Sequence, residues 1–355
     1  MNEFEATLTK STFVDYKQME LLGLDTAELT KLCVQLGQPA FRSRQIADWL
    51  YKKAVGSIAE MTNLPAAIRE QLVQTSTLTR VEVAGESEST DGTTKYLLKL
   101  GDGETVESVL LPYPDRVSVC VSTQVGCPAG CVFCATAMCG FVRNLTAGEI
   151  VDQVLTLQER GGRRVTHVVF MGMGEPLANF DNVVKALRLL NDEVGIGMRR
   201  MTISTVGIPG AIRRLQDLDL QITLAVSLHA ADEALRHELV PVSTGYSLAE
   251  LIETCRAYAD FTKRRITFEY LLLAGVNDSP AQAAALARLL HHTLCNVNLI
   301  PFNEVAGLPY RRPSQAAIRT FRAVLEEAGI EVTQRMERGH SISAACGQLR
   351  RRTGP

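Results

Sequence analysis

From Arg116 to Asn303 the chain alternates short, largely apolar runs with longer amphipathic stretches, and few architectures accept that rhythm. The runs are "RVSVCVST", "VTHVVFMG", "RMTISTV", "QITLAVSLH", "RITFEYLLL" and "NVNLIPFN". A strand that is apolar on both faces suits a parallel sheet covered by helices. Two of the intervening helices open with capping boxes, Thr146-x-x-Glu149 and Ser247-x-x-Glu250. The pattern predicts an α/β fold, an open (β/α)6 partial TIM barrel rather than a doubly wound sheet. In a barrel the functional residues gather where the strands end.

Upstream the periodicity changes. Residues 1–79 read as a loose tail and a small helical accessory domain. There "QPAFRSRQIADWLYKK" sets Ile46, Trp49, Leu50 and Lys53 at helical spacing, with Trp49 as the expected core anchor. Residues 80–115 alternate apolar and polar positions around Asp91-Gly92 and Asp102-Gly103, which predicts an antiparallel β linker with tight turns. The barrel and a C-terminal segment are assigned to residues 116–355.

Composition removes several classes. At 355 residues there is room for about two domains and a core that needs no disulfide support. The N-terminus, "MNEFEATLTK", lacks the basic start and apolar stretch of a secretion signal, and no uncharged apolar run reaches bilayer length. A cytoplasmic address is expected, where thiols stay reduced and clustered cysteines read as metal-binding or catalytic. Net charge is −2, so no global positive field draws nucleic acid. Short basic runs leave local phosphate contacts open beside the reading of solvated helix ends; were RNA the substrate, Arg143, Lys263 to Arg265 and Arg350 to Arg352 are the expected contacts.

Against that background, five of the nine cysteines fall within residues 120–140. Cys127, Cys131 and Cys134 form C-x3-C-x2-C, flanked by Cys120 and Cys139. Spacing alone admits three outcomes. With Cys139 the run could bind zinc through four thiolates, as in a metal-stabilised RNA-binding module. A ferredoxin-like [4Fe–4S] cluster would also take four ligands. A three-thiolate [4Fe–4S] cluster would leave one iron open for a ligand. One βα unit later, "MGMGEP" (Met171 to Pro176) offers glycines for close backbone approach and Glu175 as an acceptor for an ammonium group.

C-x3-C-x-(aromatic)-C, here completed by Phe133, resembles the signature of radical S-adenosylmethionine enzymes. In that superfamily the open iron chelates the methionine part of the cofactor, and one electron cleaves its sulfonium. "MGMGEP" is similar to the superfamily's amine-binding motif. More narrowly, "CVSTQVGC", "GFVRNLT", "STVGIPGAIRRL", "LAVSLHAADEALRHELVP", "IPFNE" and "AACGQLR" resemble the RlmN-type adenine carbon-2 methyltransferases, cousins of the Cfr-type carbon-8 enzymes. The likeness runs in order from about residue 20 to residue 352.

The resemblance implies a reaction and its residues. Cys127, Cys131 and Cys134 would hold the [4Fe–4S] cluster. Cys346 would be methylated by one S-adenosylmethionine, and a second would generate the radical that removes hydrogen from that methyl group, making two per turnover. The resulting carbon radical would add to adenine. Glu107 would accept the proton, and Cys120 would form the disulfide with Cys346 that releases product. Gly174, Glu175, Ser204, Ser227, Leu228, His229 and Asn303 would bind S-adenosylmethionine. The implied partners are 23S rRNA, tRNA as a second substrate, and a reducing electron donor; the sequence itself, with no bilayer-length apolar run and no motif for assembly, leads to the expectation of no membrane and a monomeric chain. Carbon 8 is the alternative target. One departure is Ser341, where the family usually carries an acidic residue.

Overall fold

The computed structural model describes residues 19–305, 307–335, 338, 339, 342, 344 and 347–349. Cys346, Ser341 and Arg350 to Arg352 lie outside the described residues. The chain divides into two compact units, residues 1–79 and 80–355.

In the first unit, strand β1 (Met19–Glu20) is joined to helices α1 (Thr26–Gln35), α2 (Arg42–Ala47) and α3 (Ala66–Thr75), and pairs in parallel with β2 (Ser76–Thr77). Asp25 starts α1 with a complete capping box: its carboxylate accepts from Glu28 N at 2.8 Å while Glu28 Oε2 accepts from Asp25 N at 2.9 Å. Trp49 is not the core anchor. A π-helical turn over Asp48–Lys52 adds a residue to the winding after α2, so Leu50 and Tyr51 face inward and Trp49 is only half-buried. Its ring instead carries Lys53 Nζ at 3.4 Å from the centroid.

The second unit is built on one ten-stranded sheet. Its antiparallel flank is β3 (Glu82–Glu88), β4 (Thr94–Lys99) and β5 (Thr105–Pro112), and β5 pairs with β6 (Val117–Cys120). A separate hairpin, β7 (Gln124–Gly126) and β8 (Phe141–Asn144), encloses the cysteine loop and the short helix α4 (Ala135–Met138). After α5 (Ala147–Gly161), parallel strands alternate with helices: β9 (His167–Phe170), α6 (Phe180–Leu189), β10 (Met201–Thr205), α7 (Pro209–Asp217) and β11 (Thr223–Ser227). Then come α8 (Glu233–Leu239), α9 (Leu248–Thr262), β12 (Ile266–Leu272), α10 (Pro280–Leu290), β13 (Cys295–Pro301), α11 (Gln315–Glu327) and β14 (Glu331–Gln334).

Sheet order is β14-β13-β12-β11-β10-β9-β6-β5-β4-β3, parallel from β6 to β14. This is the open barrel that the six apolar runs predict, extended by a strand. β14 escapes sequence reading because "EVTQ" is a charged edge strand with only Val332 buried. Strand β12 is buried at all but one position, although its sequence still alternates through Thr267 and Glu269. Both predicted caps form, in different degrees. Thr146 and Glu149 bond reciprocally, whereas Ser247 Oγ accepts from Glu250 N and Glu250 turns its carboxylate to Arg213 at 3.0 Å. Among the described residues no helix is long and apolar enough to cross a membrane.

Candidate active site

The ends of the parallel strands open on a cavity of ≈ 160 Å³, walled on one side by the cysteine loop. That loop is tightly specified. Gly126 lies at φ 75°, and a Cβ there would sit 1.8 Å from Gly140 O, so only glycine closes the β7–β8 hairpin next to Cys127. Cys127 N then donates to Gly140 O at 3.0 Å, and Cys134 N to Cys131 O at 3.1 Å. Cys127, Cys131 and Cys134 all line the cavity. Burial pushes the Cys127 thiol up to about 12, opposed by the N–H groups of Ala129 and Gly174, and holds Cys131 well above its ordinary value. A soft metal centre would reverse this, because thiols that coordinate metal are deprotonated. Among the described residues no three His, Cys, Asp or Glu side chains converge where one ion could sit. Thiols around a four-iron cube each reach a different iron, so three cysteines lining one cavity suit a cluster. Cys139 takes no part in that lining; its thiol donates to Ala135 O at 3.7 Å within its own helical turn.

The Met171–Pro176 loop lies beside Cys127 and lines the same cavity. Its glycines make room for the chain itself. A Cβ on Gly172 would meet Val121 O at 2.7 Å, and one on Gly174 would meet Thr123 Oγ1 at 2.7 Å and Gln124 N at 2.8 Å. The close approach expected from the sequence is therefore the packing of this loop on the turn that leads to the cysteines. Glu175 is buried and lines the cavity. Oε1 accepts from Leu177 N at 2.9 Å and Thr205 Oγ1 at 2.7 Å, and Oε2 accepts from Val206 N at 2.8 Å. A carboxylate offers about four lone-pair positions, so room remains for roughly one more donor. Desolvation raises the Glu175 pKa, and a cationic donor would offset that cost.

Ser204 on β10 and Ser227 at the end of β11 also line the cavity, as does His229. His229 sits at φ 62° with its ring edge-on to Phe133, centroids 4.9 Å apart. Burial, then the charge of Arg236, lowers its pKa to about 3. The imidazole is therefore neutral, and since Nδ1 accepts from Leu271 N at 3.0 Å, Nε2 carries the proton. Leu228 and Asn303 are buried beside this wall without lining it. Asn303 Oδ1 is buried with no hydrogen-bond partner among the described residues. Such an orphaned acceptor is what a missing polar ligand leaves behind.

Glu107 and Cys120 stand one layer back, on β5 and β6. Glu107 is 1 % exposed, so it is not a surface carboxylate, and Lys95 Nζ lies 3.2 Å from Oε1. Its strand is wired to the cavity: Ser122 Oγ donates to Glu107 O at 2.7 Å and accepts from Met173 N at 2.9 Å. Sequence reading missed Glu269 and Arg335, two opposite charges on the cavity wall. Glu269 Oε2 accepts from Asn298 Nδ2 at 2.7 Å, and burial raises its pKa against the opposing charge of Arg335. A glutamate inside "ITFEYLL" was the available signal, since a charge in a fully buried strand needs a reason.

Three of the arginines expected to contact phosphate already hold protein partners. Arg143 is committed to Asp102 at 2.7 Å and to both oxygens of Glu149 at 2.8 and 2.9 Å. Arg265 pairs with Glu331, and Arg264 donates to Thr223 Oγ1 at 3.3 Å.

The profile of the Radical SAM superfamily matches residues 121–287, and that of the ribosomal RNA large subunit methyltransferase N-terminal domain matches residues 19–78. A probable dual-specificity RNA methyltransferase RlmN from Gloeobacter violaceus is 53% identical over 333 residues, covering 94% of this chain and 95% of that one. Its namesake from Trichormus variabilis is 49% identical over 350 residues, covering 98% and 97%. The crystal structure of a radical SAM methyltransferase from Sphaerobacter thermophilus superposes with a TM-score of 0.90 at 47% identity, covering 93% of this chain and 99% of that one.

Proposed function

Because the chain belongs to the RlmN family of radical S-adenosylmethionine RNA methyltransferases, we propose that it methylates carbon 2 of an adenosine in 23S rRNA, and in tRNA, through a methylated Cys346. Membership of the family implies a [4Fe–4S] cluster and S-adenosylmethionine. When bound, these supply a one-electron cleavage that abstracts a hydrogen atom. Cys127, Cys131 and Cys134 would hold the cluster. Glu175 would take the cofactor's ammonium group with its remaining lone pair, Ser204, Ser227 and the Nε2–H of His229 would contact its polar groups, and Asn303 Oδ1 would gain the partner it lacks.

The observation that supports the methyl-cysteine step is a set of hydrogen bonds on the residues that follow Cys346 in the sequence. Ala135 N, directly after Cys134, donates to Gly347 O at 2.8 Å, directly after Cys346. Thr136 Oγ1 donates to Leu349 O at 2.6 Å, and Gln348 Nε2 to Glu304 O at 3.1 Å. Gly347 and Leu349 line the same cavity as the three cysteines. The proposed step requires the Cys346 thiol to reach this cavity. The detour has a chemical reason: carbon 2 of adenine is electron-poor and cannot attack a sulfonium methyl. Cys346 therefore loses a hydrogen atom from its methyl group and forms the new carbon–carbon bond. Glu107 takes the ring proton, and the Cys120 thiolate attacks the Cys346 sulfur, breaking its bond to the new carbon. The released methylene takes a proton to become the methyl group, and the one surplus electron leaves the resulting disulfide for a one-electron acceptor. Carbon 2 lies on the pairing edge, so the adenine must be unpaired or extruded.

Anaerobic reconstitution, incubation with S-adenosylmethionine, a low-potential reductant and unmodified 23S rRNA or tRNA, then nucleoside mass spectrometry, tests this. Carbon-2 methyladenosine that disappears in Cys346→Ala is the expected result. Carbon-8 methyladenosine would reassign the carbon, and cofactor cleavage without methylated RNA would overturn the substrate.

A further inference from the structure

The largest fully buried side chain among the described residues is a charged one, Arg236 on α8, 1 % exposed. Its Nη2 donates to Val206 O at 2.6 Å, and Tyr246 Oη donates to the same oxygen at 3.3 Å. The Tyr246 ring lies 5.6 Å from the guanidinium carbon, and Nε is buried with no hydrogen-bond partner. Among the described residues no Asp or Glu stands within 4.0 Å of this guanidinium. Glu175 is separated from it by Val206, whose carbonyl accepts from Arg236 while its N–H donates to Glu175 Oε2. A cation so deep in the fold is costly without a counter-charge.

Its surroundings indicate where that counter-charge belongs. α8 and the turn after it are stitched to the cysteine loop: Val132 N donates to Leu239 O at 3.2 Å, and Val242 N to Ala129 O at 3.4 Å. Leu239 and Val240 share one apolar cluster with Ala129 and Phe133, against which Cys127, Cys131 and Cys134 pack. Three thiolates outweigh the positive charge of an oxidised [4Fe–4S] core, and an added electron deepens the imbalance.

We propose that Arg236 is the built-in counter-charge of the three-cysteine site, a positioning residue that eases one-electron reduction of the cluster from beneath the loop that holds it. The proposal rests on the reading of Cys127, Cys131 and Cys134 as cluster ligands. The electron comes from an external low-potential one-electron donor, and no proton or bond to Arg236 changes hands. A fixed cation favours the more negative redox state, so removing it makes the cluster harder to reduce.

The test is an EPR-monitored redox titration of the reconstituted holoenzyme, with iron and sulfide content measured in parallel. Arg236→Gln should weaken the reduction equilibrium about tenfold, a shift of roughly 59 mV to lower potential for a one-electron couple. Arg236→Lys, which keeps the charge, should stay close to wild type. Tyr246→Glu keeps the arginine and neutralises it in place, so it should shift the potential in the same direction even where Arg236→Gln does not fold. Unmoved potentials in Arg236→Gln, or in Tyr246→Glu where the first does not fold, overturn the proposal. Wild-type protein that binds no iron would instead fail the cluster reading on which the proposal stands.

Discussion

Two carboxylates sit at nearly equal depth in the sheet unit, and the fold treats them in opposite ways. Glu175, at the mouth of the parallel strands, is held by two backbone N–H groups and a threonine hydroxyl, all neutral. Glu107, in the antiparallel flank, has the Lys95 ammonium 3.2 Å away. A carboxylate stabilised by neutral dipoles keeps its net charge for a visiting cation, and the neutral His229 nearby does not cancel it. A carboxylate that already faces a lysine has no such vacancy for a cofactor ammonium. The parallel side is arranged for ligand charge, and the antiparallel side supplies its own.

The largest expected effect lies on the antiparallel side. Glu107→Gln removes one partner of an ion pair whose side chains are 6 % and 1 % exposed, leaving the lysine charge buried. Breaking such a pair costs about 3 kcal/mol or more, visible as a lower denaturation midpoint of this unit. Lys95→Met with Glu107→Gln should recover much of that loss while RNA methylation stays impaired. Equal stability of the single and double variants would show that the pair is not the unit of stability. Glu175→Gln should be milder for the fold, yet it sets an amide N–H2 against donors and removes the charge offered to the ligand. S-adenosylmethionine affinity should fall about 100-fold, roughly 3 kcal/mol, by titration calorimetry of the reconstituted protein. A change below tenfold would mean that the remaining lone pair does not meet the cofactor.

How much of this was legible in the sequence follows the same division. Strand ends announce themselves, because apolar runs and the C-x3-C-x2-C spacing are local, and Cys127, Cys131, Cys134, Glu175, Ser204, Ser227 and His229 do meet in one cavity. Tertiary pairings carry no local mark. Nothing in the chain couples Thr136 to Leu349, or ties Leu239 at the end of α8 to Val132 in the cysteine loop, until α4 and α8 are packed. Gly172 and Gly174 were readable as close-approach glycines, but what approaches them is Val121–Gln124, a partner that only the fold supplies. Trp49 misled because one π-helical turn shifts the inward face by a residue, which a fixed helical period does not foresee.

A smaller effect is expected where the C-terminal clamp meets the cysteine loop. Thr136→Val deletes the O–H bond to Leu349 O, worth about 1 kcal/mol, and leaves that carbonyl without this donor. Amide exchange at Ala135, whose N–H holds Gly347 O, should quicken, and RNA methylation should fall severalfold at unchanged S-adenosylmethionine affinity. Thr136→Ser should restore both. Loss of cofactor affinity alongside activity would point to damage in the loop rather than to the clamp.

The smallest effect separates charge that is offered from charge that is spent. Arg143 lies on β8 next to the cysteine loop, the position from which a cation could reach an RNA backbone. Its guanidinium is instead shared between Glu149 and Asp102, and the Glu149 hydrogen bond leads in pushing its pKa still higher. Neutralising a phosphate would require breaking bonds it already makes, with little net gain in counterion release. Arg143→Ala should therefore change RNA affinity by less than about twofold and leave the slope of log K against log salt unaltered. A slope that drops by about one would show that the arginine leaves its carboxylates for a phosphate. The charge spent on protein partners beside the cysteine loop would then be as available to the substrate as that offered at the strand ends, and the distinction between the two would fall.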